Sequence, residues 1–291
     1  MISLEKFLEN TFKTHFFPDP KISEGRSIKA VLKKSLELLK DEVINDVRNF
    51  VLKMQHPSGG FIDRAGNPDM YYTLFGFFLA DVLGLKENLQ RTGKYAEDEI
   101  SYSMPEGVHL QCAAILLTEL SDNRQIKNKI RRQIRRDVVM PHKEKNEYYA
   151  FVNLLASLYT RDYIVLRQIY KLLSRLNQSD DLPVTVIAAS LILYSTFKKP
   201  AEHLRQKLLD FYDNQGGFRA VKTIALPDLL STAVSLYALS YTGFDLLLIK
   251  PECLGFIDSH YINGGFCASV ADRQTDIEYT FYGLLALGSL A

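Results

Sequence analysis

Six stretches of this chain are apolar on nearly every side: Met70 to Val82, Val108 to Leu120, Tyr148 to Tyr159, Leu182 to Tyr194, Leu229 to Tyr241 and Ile277 to Leu290. A helix without a polar face has to be buried all round. Between these stretches run amphipathic ones, Ile28 to Phe50, Gln125 to Val138, Tyr163 to Leu176 and Ala201 to Tyr212, which mix Lys, Arg, Glu and Asp with Leu and Ile at helical spacing. Greasy inner helices and half-polar outer helices are therefore expected to alternate.

A repeat sets the spacing. Three copies are clear: Gly59-Gly60-Phe61 to Asp69 and Thr73, Gly216-Gly217-Phe218 to Asp228 and Thr232, and Gly264-Gly265-Phe266 to Asp276 and Thr280. A fourth keeps Asp181 and Thr185 without the glycines, and two weaker ones begin at Glu106 and Glu147. Repeats at periods of about 20 to 50 residues mark stacked supersecondary units that cannot stand alone. Each acid precedes an apolar run, where its carboxylate can accept the free N–H groups of the first helical turn. The glycines allow a sharp turn, and the Phe ring can plug the gap between neighbouring repeats. Six helical hairpins wound about one axis place all six inner N-termini on one rim of a central cavity. Their summed dipoles favour an anion there, a diphosphate for instance.

The 291 residues are 47% hydrophobic, enough for a large core, and no linker or low-complexity tract interrupts them. One domain over 1–291 is expected, with 1–50 giving N-terminal outer helices and 51–291 the repeats. Residues 1–10 carry Glu5 and Glu9 instead of the apolar core of a secretory signal, and no run reaches the length of a transmembrane segment. A cytoplasmic protein is the expectation. Cys112, Cys253 and Cys267 are odd in number and widely spaced, which suits reduced thiols rather than disulfides or a zinc cluster. A net charge of +1 gives no bias toward nucleic acid. Lys127 to Arg136 packs six cations into ten residues around Ile130 and Ile134. That run reads as a solvated outer face or a phosphate or lipid-headgroup patch, and it is one candidate surface for a helical partner subunit, should the chain need one.

Taken together, Gly-Gly-Phe, a linker, Asp-x-x-x-Thr and an apolar helix resemble the repeats of protein prenyltransferase β subunits and of squalene-hopene-type terpene cyclases. The resemblance implies an all-α fold, an α/α toroid (α6/α6 barrel) of six helical-hairpin repeats. It implies an isoprenoid-binding enzyme acting on a prenyl diphosphate or a prenylated small molecule, its cavity lined by some of the 16 Tyr and 17 Phe. The prenyltransferase zinc site takes an Asp, a Cys two residues on, and a His three residues past the Asp of the sixth repeat. Here Asp228 matches, but Leu230 and Tyr279 stand at the other two positions. No metal ligand is assigned, zinc is not expected, and Mg2+ would enter only with a diphosphate substrate.

Of the family's diphosphate-binding positions, one falls on Lys222 and a second on Ala225; Arg219, Arg64 and Arg273 lie in linkers of the same rim. The cyclases use an Asp-x-Asp-Asp run whose middle acid protonates an alkene. This chain has Gln178-Ser179-Asp180-Asp181, and it has no Trp. Asp180, Asp181 and Asp228 are thus the candidate catalytic acids. Tyr72, His109 and Tyr279 each stand three residues past the acid of their repeat, which places them at equivalent points of the cavity mouth. With Asp276 they are candidate substrate contacts. The blander readings are that Asp69, Asp228 and Asp276 are helix caps, that His109 is a satisfied, partly buried histidine, and that Phe75, Phe77, Phe78 and Phe281 are core packing. Three functions follow: a zinc-free isoprenoid enzyme, a class II-type cyclase with Asp180 as proton donor, and a non-catalytic lipid-binding or protein-interaction toroid.

Overall fold

Each clear repeat is knotted together by its threonine. In the computed structural model, which describes residues 25–139, 147–176 and 182–291, the Thr73 hydroxyl donates to the Asp69 carbonyl at 2.6 Å and accepts the Phe61 amide at 2.9 Å. Thr232 and Thr280 do the same for Asp228 with Phe218 and for Asp276 with Phe266. One side chain thereby fixes the turn against the start of the helix. The Asp carboxylates cap those helices: Asp69 accepts from the amides of Tyr71 and Tyr72, Asp228 from Ser231, and Asp276 from Tyr279.

Among the described residues there are thirteen helices: α1 (Ile28–Leu38), α2 (Asp41–Lys53), α3 (Met70–Val82), α4 (Lys86–Tyr102), α5 (Gly107–Leu120), α6 (Arg124–Val139), α7 (Glu147–Thr160), α8 (Tyr163–Leu176), α9 (Val184–Thr196), α10 (Glu202–Leu209), α11 (Leu229–Tyr241), α12 (Lys250–Ser259) and α13 (Ile277–Ser289). The odd-numbered helices from α3 to α13 are the apolar ones. Each packs on the next, and α13 packs back on α3, so they form a closed inner ring. The even-numbered helices form the outer layer. The chain is an all-α toroid. Its only described sheet, antiparallel β1 (Tyr261–Ile262), β2 (Gly265–Cys267) and β3 (Thr275–Asp276), is the sixth repeat's turn drawn out, with Phe266 opposite both Tyr261 and Asp276.

The glycine pair explains how the ring shuts. The first glycine of each clear copy has positive φ, and a Cβ there would sit 2.3 Å from the Arg91 carbonyl on α4 for Gly59, 2.1 Å from that of Glu252 on α12 for Gly216, and 2.4 Å from that of Asp46 on α2 for Gly264. Every turn is thus wedged against the outer helix that follows its repeat. For the sixth repeat that helix is α2, which joins the last repeat to the first. The Phe of the turn then covers a small residue of its own inner helix: a Cβ on Gly76 would lie 2.2 Å from the Phe61 ring, and one on Gly283 2.5 Å from that of Phe266.

Several expectations need correction. Ile28 to Phe50 is two helices, broken at Leu39 and Lys40, both extended. No glycine or proline marks the break; tertiary packing imposes it, because α1 lies against α13 and α3 while α2 takes the outer-ring place. Two outer helices, α4 and α12, were not among the four expected. Glu106 precedes α5 but its carboxylate caps no amide, and α9 begins at Val184 behind Pro183.

The two mouths of the ring differ. At the C-terminal ends of the inner helices α1 lies across part of the opening. Lys29 reaches Asp81 of α3 at 3.1 Å and Glu119 of α5 at 2.7 Å, and the Tyr237 hydroxyl of α11 donates to the Arg26 carbonyl. The opposite rim, where the inner helices begin, carries the polar chemistry.

Candidate functional site

At that rim the first turns of α3, α5 and α13 bring titratable groups together. Glu278, two residues past the cap of α13, is buried, and the Tyr71 hydroxyl of α3 donates to its Oε1 at 2.6 Å. Burial raises its pKa to about 7, and the Tyr71 hydrogen bond only partly offsets this. The nearby charges of Asp276 and Asp69 push the same way as burial, and Arg64 pushes against it. Beneath the pair, Phe75 of α3 meets Phe281 and Tyr282 of α13 with ring centroids 5.0 and 5.4 Å away, and Phe78 meets Phe281 and, from across the ring, Tyr159 of α7. These aromatics pack against one another as core.

Beside Glu278 stand two further pairs. His109 Nε2 lies 3.1 Å from Asp69 Oδ2, and the histidine side chain is 46% exposed, so this pair faces the open mouth. The Asp69 hydrogen bond raises the His109 pKa against the opposing effect of burial. Burial would raise Asp69, but the hydrogen bonds from His109 and the helix amides hold it below the usual carboxylate range. On the other side, Arg64 from the first-repeat linker donates to Asp276 Oδ2 at 2.6 Å and to Asp272 Oδ2 at 2.5 Å, with its guanidinium over the Tyr279 ring. Burial alone would disfavour the guanidinium charge, and the two carboxylates more than restore it. Asp276 remains raised because burial outweighs its partners. Tyr72 is pushed up to about 12 by burial and by the charges of Glu278 and Asp276.

The structure therefore gathers five of the residues singled out from sequence: Arg64, Tyr72, His109, Asp276 and Tyr279. It places others elsewhere. Arg273 donates to the Ser259 carbonyl at 2.8 Å, and exposed Lys222 lies over the Phe211 ring. Arg219, on the linker before α11, is half-buried, with its Nε unpaired. Asp228 is a cap whose two oxygens are held by the Ser231 amide and hydroxyl, and burial raises its pKa. Asp180 and Asp181 lie outside the described residues. Missed from sequence were Glu278, its partner Tyr71, and Asp272. The available signal was Glu278 itself: equivalent positions in α3, α5 and α11 hold Tyr71, Val108 and Leu230, so a carboxylate there breaks the pattern.

The zinc positions of the family do not form a zinc site here. Leu230 offers no donor and is buried, Asp228 is occupied by Ser231, and Tyr279 is engaged beneath Arg64. Among the described residues no group of three or more His, Cys, Asp or Glu is arranged to hold a metal ion. No described helix is long and apolar enough to cross a membrane.

The model of the prenyltransferase alpha-alpha toroid domain family matches residues 31–98 and 183–291. The chain belongs to that family. The gap in the match, 99–182, spans the two repeats that begin at Glu106 and Glu147, which lack Gly-Gly-Phe turns; the fourth repeat also lacks one, but its inner helix lies within the match. No curated protein matches the chain.

Proposed function

We propose that this member of the prenyltransferase alpha-alpha toroid family is an isoprenoid-binding enzyme that works without zinc and uses Glu278 as its acid–base group. The observation that supports this most is the buried Glu278–Tyr71 pair, set at the rim between an aromatic interior and the exposed His109–Asp69 pair. A carboxyl that titrates near neutrality is suited to passing a proton in either direction. Desolvation by the ring brings its titration near neutrality, and the Tyr71 phenol orients it. The face of Tyr72 offers cation–π stabilisation to positive charge developing on a prenyl chain, whereas that of Tyr279 already carries the Arg64 guanidinium. In this reading His109, paired with Asp69 at the exposed mouth, passes the proton on to solvent.

With α1 across part of the far mouth, ligand would enter at the rim. A diphosphate head, with Mg2+ if it brings one, would find Lys222 and Arg219 on the linker before α11, because Arg64 and Arg273 already have partners. Asp180 remains the proton donor of the cyclase alternative.

The test is product analysis after incubating the full chain with farnesyl and geranylgeranyl diphosphate and with the corresponding alcohols, in H2O and D2O. Wild type should release diphosphate or form a deuterated product, and Glu278→Gln should bind as well but turn over at least 100-fold more slowly. Equal turnover by Glu278→Gln removes Glu278 from the chemistry. Tight binding with no turnover by wild type would make the chain a lipid carrier.

A further inference from the structure

We infer that the outer face formed by α6 and α8 docks the protein on an anionic phospholipid membrane. The two helices lie side by side in the outer layer. On α6 Ile130 and Ile134 are buried, while Arg124, Lys129, Arg131, Arg132 and Arg136 are exposed. On α8 Val165, Leu166 and Ile169 are buried, and Arg167 and Lys171, four residues apart, are exposed on the opposite side, with exposed Arg161 just before the helix. Asp137 is the only acid in the sequence of either helix. Among the described residues the one carboxylate that pairs with this group is the buried Asp162, which Arg135 holds at 2.9 Å and Arg131 approaches to 3.8 Å. The other exposed cations of the face have no ion pair with any described residue.

A solvated surface ordinarily intersperses charges of both signs; here one sign is gathered. The whole chain has 35 Lys and Arg against 34 Asp and Glu, so this concentration leaves the rest of the molecule net negative. An anionic plane therefore attracts this face and repels the others, which fixes how the protein sits on it. Most of the cations are arginines, whose forked donors suit phosphate oxygens. Three of the basic residues, Arg124, Lys127 and Arg131, line with Asn128 a cavity of about 220 Å3, roomy enough for a phosphate. Lys127 and Arg131 each give a donor to a helix-end carbonyl, of Thr118 and Thr160, and keep others for a ligand. Asp162 borders the same cavity but is neutralised by Arg135.

The face offers little to any other macromolecule. Its one described large apolar side chain that is strongly exposed is Ile164, at 42%. A protein interface needs an apolar or aromatic centre, and a single-stranded nucleic acid needs aromatics to stack on. Lipid headgroups need neither, because they move sideways until their phosphates meet the cations. No described helix crosses a membrane, so the contact is peripheral and electrostatic.

The test is sedimentation of the full chain with vesicles of phosphatidylcholine, alone or with about 30% phosphatidylserine. The vesicles contain no isoprenoid, so the result is independent of the function proposed above. Each Lys or Arg near an anionic surface strengthens binding roughly five-fold. Wild type should bind the anionic vesicles at least 100-fold more tightly than the neutral ones in about 0.1 M salt, and should lose that preference in about 1 M salt, where charges are screened within about 3 Å. The combined variant Arg132→Gln, Arg136→Gln, Arg167→Gln and Lys171→Gln should bind anionic vesicles at least 100-fold more weakly with an unchanged melting temperature. Lys33→Gln, Lys34→Gln, Lys53→Gln and Lys94→Gln together remove exposed cations outside this face and should weaken binding less than ten-fold. Wild type indifferent to phosphatidylserine, or equal losses in the two variants, overturns the inference. So does polyglutamate or duplex DNA that strips the protein from the vesicles at equal anion concentration, which would assign the face to an acidic protein or to nucleic acid.

Discussion

Replacing Glu278 by Gln should change how stability depends on pH more than it changes stability itself. In the fold the Glu278 carboxyl titrates near 7, against an ordinary value of 4.5. Between those limits the unfolded chain has released the proton while the folded chain still holds it, so wild-type stability falls as pH rises. The slope is about 1.4 kcal/mol per pH unit, which integrates to about 3 kcal/mol across the window. Below pH 4.5 both states are protonated and above pH 7 both are ionised, so the contribution is flat outside it. His109, Asp69, Asp272 and Asp276 are present in both proteins, so their own contributions largely cancel in the difference, and the effect of Asp69 and Asp276 on Glu278 is already contained in its value of about 7. Urea denaturation of wild type and Glu278→Gln from pH 4 to 8 should therefore show the variant gaining about 3 kcal/mol relative to wild type across the window. The gain should be complete near pH 7.5. A difference independent of pH would mean that Glu278 ionises like a solvated carboxylate, and the acid–base role would fall with it.

Three further outcomes follow from named contacts. Gly76→Ala forces a Cβ into the Phe61 ring and should destabilise by about 1–3 kcal/mol, whereas Gly255→Ala, a helical glycine with open space around it, should be neutral or stabilising by up to about 1 kcal/mol; thermal denaturation of both decides, and equal effects would refute the plug. Arg64→Met removes the guanidinium from Asp276, whose side chain is 1% exposed, and should cost about 3 kcal/mol or more; a loss under about 1 kcal/mol in chemical denaturation would show that helix capping alone satisfies that carboxylate. An NMR titration should place His109 above 6.5 in wild type. In Asp69→Asn it should fall below that value, because burial then acts without its counter-ion; no change would dissolve the pair.

The inner ring was legible in the sequence because its helices have no polar face to misread, and because Asp69, Asp228 and Asp276 mark their starts. The Asp-to-Thr spacing was legible too, and the structure gives its reason in the threonine that ties turn to helix. The break at Leu39 was not, since it depends on α1 folding across a ring that the sequence does not display locally. The site was half legible. Equivalent positions in a repeat converge on one rim, which brought out Tyr72, His109 and Tyr279. Arg64 was expected to hold an anionic ligand head, whereas its partners Asp272 and Asp276 lie more than 200 residues away and meet it only because the ring closes. Glu278 was overlooked for a physical reason: the value of a carboxylate at that point depends on its burial against Tyr71, which only packing reveals.

The central claim is that this toroid has kept an isoprenoid ligand while giving up the metal, and native mass spectrometry of the full chain purified from its own host tests it most directly. The account predicts a co-purifying isoprenoid at near-stoichiometric occupancy and no zinc. Stoichiometric zinc with no isoprenoid would contradict it.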